Sequence, residues 1–111
     1  MRRAEFERVV DEAVAELPGW ARERIRNVAI RVEDWPPAGS GLLGLYQGTP
    51  RPERVGGEPI EPDRITVYRV PILRAAEGVD AVRDEIRVTV LHEIAHHFGI
   101  SEERLRELGY G

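Results

Sequence analysis

The 111-residue chain has no cysteine and no lysine, and only three histidines, two tryptophans and one methionine. Without cysteine there is no disulfide and no thiolate ligand, so any bound metal must be held by imidazole and carboxylate. Without lysine, all 16 basic residues are arginine, set against 20 acidic ones, for a net charge of -4. That balance is a poor electrostatic footprint for nucleic acid, which usually demands a basic stripe, so no nucleic-acid partner is expected. No apolar run approaches the length of a membrane span. The opening MRRAEFERVVDEAVAEL has no apolar core of the kind a secretory signal needs, so a cytoplasmic location is expected, with no membrane partner. Arginine for every basic residue, with one Asn and one Gln, fits a GC-rich genome.

What is present organises as one small α+β domain over residues 1–111. Residues 3–17 carry Phe6, Val9, Val10, Ala13, Val14 and Leu17 at helical spacing, and Pro18-Gly19 stops the run. Val28, Ile30 and Val32 alternate with other residues, which predicts a strand over 26–33. A Pro- and Gly-bearing loop leads to a second short strand, LLGLYQG, at 42–48. Residues 49–63 hold four prolines and the pair Gly56-Gly57, which predicts a long irregular connection. RITVYRVPI, 64–72, is the expected third strand, ended by Pro71, with a helical turn at 73–77. Asp80 is placed to cap a helix running to Phe98, which Gly99 closes, and Ser101 to cap a short last helix.

All three histidines fall in HEIAHHFGISEERL, residues 92–105. His92 and His96 are four apart on the expected helix and point from one face, one turn apart. Two imidazoles at that spacing can bind one ion. Glu93 flanks the metal without ligating it, where it can take a proton from a metal-activated water. Catalytic zinc takes three protein ligands and leaves a fourth position open. Gly99 lets the chain turn, and Glu102 stands at the offset where H-E-x-x-H-x-x-G-x-x places a final ligand. His97 points away from the pair, as a supporting or surface residue. Glu85 and Thr89 lie upstream on the ligand face, placed to support the ligands from outside, but read first as ordinary solvated polar residues. Glu103 reads as a first-turn acid complementing the helix dipole.

With these residues in view, the sequence resembles the small bacterial zincin-like metallopeptidases. The likeness runs through FERVVDEAVAELP, NVAIRVEDWPP, LLGLYQGTP, DRITVYRVPILR and VRDEIRVTVLHEIAHHFGISEERLRELGY. The family typically has Asp where this chain has Glu102. Metzincins, a related group, have His there and a later methionine turn, whereas the only methionine here is Met1. The resemblance implies a minimal zincin-like fold: a small mixed sheet whose antiparallel edge strand packs with an N-terminal helix and an active-site helix. It also implies a zinc-dependent peptidase, with His92, His96 and Glu102 on zinc and Glu93 as general base. The edge strand LLGLYQG would pair with the last strand as a wide hairpin and bind an extended peptide through Leu43, Gly44, Leu45 and Tyr46, with residues 49–63 rimming the cleft. Tyr46, Tyr68 and Tyr110 are candidate oxyanion donors. Trp20 and Trp35 are expected to pack rather than to touch substrate. Two rival readings stay open: a zincin-shaped metal-binding module with little turnover, and a small metal-dependent endoribonuclease. The expected partner is a peptide or protein, and the sequence leaves the oligomeric state open.

Overall fold

A computed structural model describes residues 1–48 and 62–109. Helices α1 (Arg3–Ala15) and α2 (Gly19–Arg24) precede strands β1 (Val28–Glu33), β2 (Gly44–Gln47) and β3 (Asp63–Tyr68). Helices α3 (Arg69–Ala75), α4 (Val79–His97) and α5 (Glu102–Glu107) follow. The result is the α+β architecture expected for a minimal zincin-like fold: a small mixed sheet packed with helices. Its strand order is β1-β3-β2, with β1 parallel and β2 antiparallel to β3.

The central position of β3 explains its composition. Ile65, Thr66, Val67 and Tyr68 are all buried, because a strand paired on both edges and covered on both faces has no solvent side. The core joins Phe6, Val9, Val10 and Ala13 of α1 to Ile65 and Val67 of β3, and to Val82, Ile86, Val90 and Ile94 of α4. These α4 residues recur every four positions. Truncating any one of them to alanine removes about 2–5 kcal/mol for Ile and somewhat less for Val.

Several boundaries differ from the sequence expectation. The third strand ends at Tyr68 rather than at Pro71, and α3 begins at once. Pro71 lies in the first turn of α3, where its missing N–H would have had no helical partner. The Val70 N–H instead reaches the Asp34 carbonyl, at 3.1 Å. The N-cap of α4 is Gly78, at φ 87°, and not Asp80. Asp80 lies in the first turn, where its carboxylate accepts a bond from Arg83. Pro18-Gly19, read as a stop, both ends α1 and opens α2, a six-residue helix too short to show a period. Phe98, expected on the apolar stripe of α4, is 44 % exposed. Most of the 49–63 connection and Tyr110 lie outside the described residues.

Trp35 is exposed, with the Arg74 guanidinium 5.0 Å from its ring centre, and Trp20 packs at the margin of the core. Among the described residues no helix is long and apolar enough to cross a membrane.

Candidate metal centre

The end of α4 determines which side chains meet. Gly99 has φ 72°, the left-handed conformation that a side chain resists. The Ile100 N–H bonds the Ala95 carbonyl at 2.8 Å, and the Gly99 N–H points to the His96 carbonyl at 3.4 Å. These are the paired closing bonds of a Schellman turn. Two residues later Ser101 caps α5, its hydroxyl accepting from the Arg104 N–H at 3.0 Å. Leu105 is fully buried and anchors α5. The reversal places Glu102, the first residue of α5, back over the histidines of α4.

Glu102 Oε1 lies 3.0 Å from His92 Nδ1 and 3.7 Å from His96 Nε2. One donor atom from each of these residues lies within 4.8 Å of the others, the sole such grouping of His, Asp and Glu among the described residues. The three side chains are 30 %, 63 % and 50 % exposed for His92, His96 and Glu102. The group therefore opens to solvent. Two imidazoles and a carboxylate form a donor set suited to a borderline divalent ion such as zinc. Exposed Glu103 and half-buried Glu85 both lie outside the grouping.

Glu93 belongs to a second stripe of α4, with Thr89 and His97, and that stripe meets β2. Because Leu43 accepts from the Tyr68 N–H at 2.9 Å, the antiparallel alternation turns the main-chain groups of Leu43 and Leu45 toward β3. Gly44 and Tyr46 turn theirs to the free edge. The Tyr46 N–H donates to Glu93 Oε1 at 2.8 Å, while Glu93 Oε2 is 3.9 Å from His96 Nδ1. Gly44 is what lets the strand come so close. A Cβ there would stand 2.7 Å from the Thr89 Cγ2 and 3.2 Å from the Thr66 carbonyl oxygen. Thr89 is accordingly buried against β2, not solvated as the sequence suggested.

His97 stacks on Tyr46, ring centres 3.7 Å apart and planes at 15°. Phe98 stands edge-on to His97 at 4.9 Å. The Tyr46 hydroxyl donates to Asp63 Oδ2 at 2.9 Å. Burial, then that hydrogen bond and the Asp63 charge, push the Tyr46 phenol up to about 12. Of the candidate oxyanion donors, Tyr46 thus spends its proton on Asp63. Tyr68 is 4 % exposed in the sheet, and burial first, then the Glu33 charge, raises its phenol. Sequence reasoning missed the seam of Gly44, Thr89, Asp63 and His97. One signal was available: a glycine inside a strand pattern marks close approach of another element.

Residues 25–111 match the family model described as zincin-like metallopeptidase. The chain belongs to the zincin-like metallopeptidase family. A solved structure titled a conserved hypothetical protein, from Thermo thermophilus, is similar at 24 % identity and a TM-score of 0.63, over 88 % of this chain and 94 % of that one. That likeness supports the fold alone. No curated protein matches the chain. Membership in the family supports a metal-dependent, peptidase-like module, with His92, His96 and Glu102 able to hold the ion.

Proposed function

We propose that the protein is a zinc-dependent peptidase in which His92, His96 and Glu102 hold the metal and Glu93 is the general base. The observation that carries this reading is the convergence of the His92, His96 and Glu102 donor atoms within 4.8 Å, with the Glu93 carboxylate alongside. Zinc, when bound, supplies a Lewis acid and lowers the pKa of a water molecule. Glu93 accepts the proton of the attacking water at Oε2, the oxygen that Tyr46 leaves free, and returns it to the departing amine. The carboxylate oxygen held by Tyr46 fixes the direction of the other.

An extended peptide is the substrate that the free edge of β2 suits. Gly44 offers its N–H and carbonyl there, and Tyr46 its carbonyl, for strand-like pairing. Leu43 and Leu45, whose main chain faces β3, would meet such a peptide through side chains only. The family match and the net charge of -4 both favour peptide over RNA. One observation favours a metal-binding module with little turnover as the second reading: the Tyr46 N–H, a natural donor to substrate, is engaged by Glu93.

Metal analysis of purified protein with a peptide-library cleavage assay separates the two. The peptidase reading expects one zinc per chain and metal-dependent cleavage. It also expects Glu93→Gln to keep zinc while losing about 100-fold or more in turnover, the usual scale of general-base catalysis. Zinc without cleavage of any peptide selects the binding module. Cleavage by Glu93→Gln at the wild-type rate removes Glu93 from the chemistry.

A further inference from the structure

His97 has no part in the metal grouping, yet it makes the closest ring contact in the site. It lies on the surface, so core packing does not impose that contact. Its partner is the one residue of β2 whose main chain grips Glu93. Tyr46 is held at three points: its N–H on Glu93 Oε1, its hydroxyl on Asp63 Oδ2 and its ring on His97. Glu93 and His97 are one turn apart on α4, so the ring stack and the N–H bond fasten the same strand residue to the same helix face. Upstream, Gly44 seats the strand against Thr89. At Tyr46 the strand is at its free edge, and β3 supplies no main-chain bond to that residue.

We propose that His97 is a positioning residue that acts through Tyr46: its stacked ring holds the Tyr46 N–H on Glu93 Oε1, so that Oε2 stays turned toward the metal centre. The inference rests on Glu93 as the general base for its catalytic consequence, but not for its structural one. A carboxylate with both oxygens free rotates. One fixed by a main-chain donor presents a single oxygen in a single direction, and geometric preorganisation of this kind decides rate rather than substrate affinity. His97 contributes a flat ring, not a proton and not a metal ligand. Phenylalanine can therefore replace it, whereas alanine and glutamine cannot.

The test measures hydrogen exchange of the Tyr46 amide in metal-free protein, alongside kcat, KM and zinc content of the zinc-loaded form. The Tyr46 amide is expected to be protected in the wild type and to lose protection in Glu93→Ala. In His97→Ala and His97→Gln its exchange should accelerate by about tenfold, the upper scale of a ring-stacking contact. His97→Phe should restore protection. In the zinc-loaded enzyme, His97→Ala should lower kcat by about tenfold or more, with KM and zinc stoichiometry unchanged, and His97→Phe should recover the rate. Unchanged Tyr46 exchange in both His97→Ala and His97→Gln overturns the proposal, and so does a Phe variant as impaired as the Ala variant. Loss of zinc in His97→Ala would make His97 a ligand and overturn it too. If instead Glu93→Gln retains full turnover, the general-base reading fails, and the exchange data still decide whether His97 positions Tyr46.

Discussion

Helix α4 carries two stripes of polar residues, one position out of phase, and their surroundings are opposite. His92 and His96 look outward, and their described polar neighbours are carboxylates, Glu102 above all. Thr89, Glu93 and His97 look onto β2, where a backbone N–H, a tyrosine ring and a missing Cβ fix their places. The first stripe is left accessible to an ion; the second is built into the protein. A one-residue offset on a helix is a rotation of about 100°, which is enough to separate a binding face from a structural seam. Glu93 is the residue that joins them. One of its oxygens belongs to the seam and the other faces His96.

Variants of the two stripes should therefore fail in different ways. The largest effect belongs to the open stripe. Glu102→Ala should weaken zinc binding by more than tenfold, because it would remove one of the three proposed ligands. Glu103→Ala, its exposed neighbour, should change it little, and Glu102→Asp should retain much of the affinity. Competition against a chromogenic chelator reads all three. Equal affinity for wild type and Glu102→Ala would erase the distinction between the two acids of α5.

The seam should respond in stability. Gly44→Ala forces a methyl group against Thr89 Cγ2 and the Thr66 carbonyl, an overpacking worth about 1–3 kcal/mol. Adding Thr89→Ser removes the nearer obstacle and should return part of the loss, since the two sites are in contact. Urea denaturation of the two single variants and the double variant checks this. Strict additivity would mean that Gly44 is not there to admit Thr89.

The smallest effect is the titration of Tyr46. Its phenol is raised from 10.0 to about 12. The stability it contributes is therefore complete below pH 10, the unfolded value, and is lost as pH rises through the folded value of about 12. Between those limits the folded state holds a proton that the unfolded state has released, so stability falls. Ultraviolet titration should find the Tyr46 phenol still protonated at about pH 11, between the two values. Asp63→Asn should bring it only part of the way back, because burial is the larger cause. A Tyr46 phenol that titrates near its ordinary value in the wild type would place its ring in solvent, away from Asp63.

The open stripe was far more legible in the sequence than the seam, for a physical reason. His92, His96, Gly99 and Glu102 are fixed by helical repeat, one left-handed residue and one N-cap, all local effects. The Schellman turn at Gly99 and the cap at Ser101 are where the spacing put them. The seam depends on residues that are distant in the chain: the glycine inside β2 signals a close approach, but nothing local says that Thr89 makes it or that Tyr46 meets Glu93. The same division holds in the fold. The long helices α1 and α4 and the alternating strands stand close to expectation, because their periods are strong. The α3 boundary was misplaced because Pro71 ends a strand and also suits a first helical turn, and only packing decides between them. Thr89 looked solvated because a threonine on a polar stripe carries no sign that a strand will cover it.

The central claim is that α4 separates a metal-binding stripe from a positioning stripe, and histidine resonances report on both at once. The most direct test is a zinc titration of protein labelled with 15N in the imidazoles. The account predicts that one nitrogen of His92 and one of His96 shift together and saturate at one zinc per chain, while both nitrogens of His97 keep their metal-free positions. A coordination shift at His97, or its absence at either His92 or His96, would contradict it.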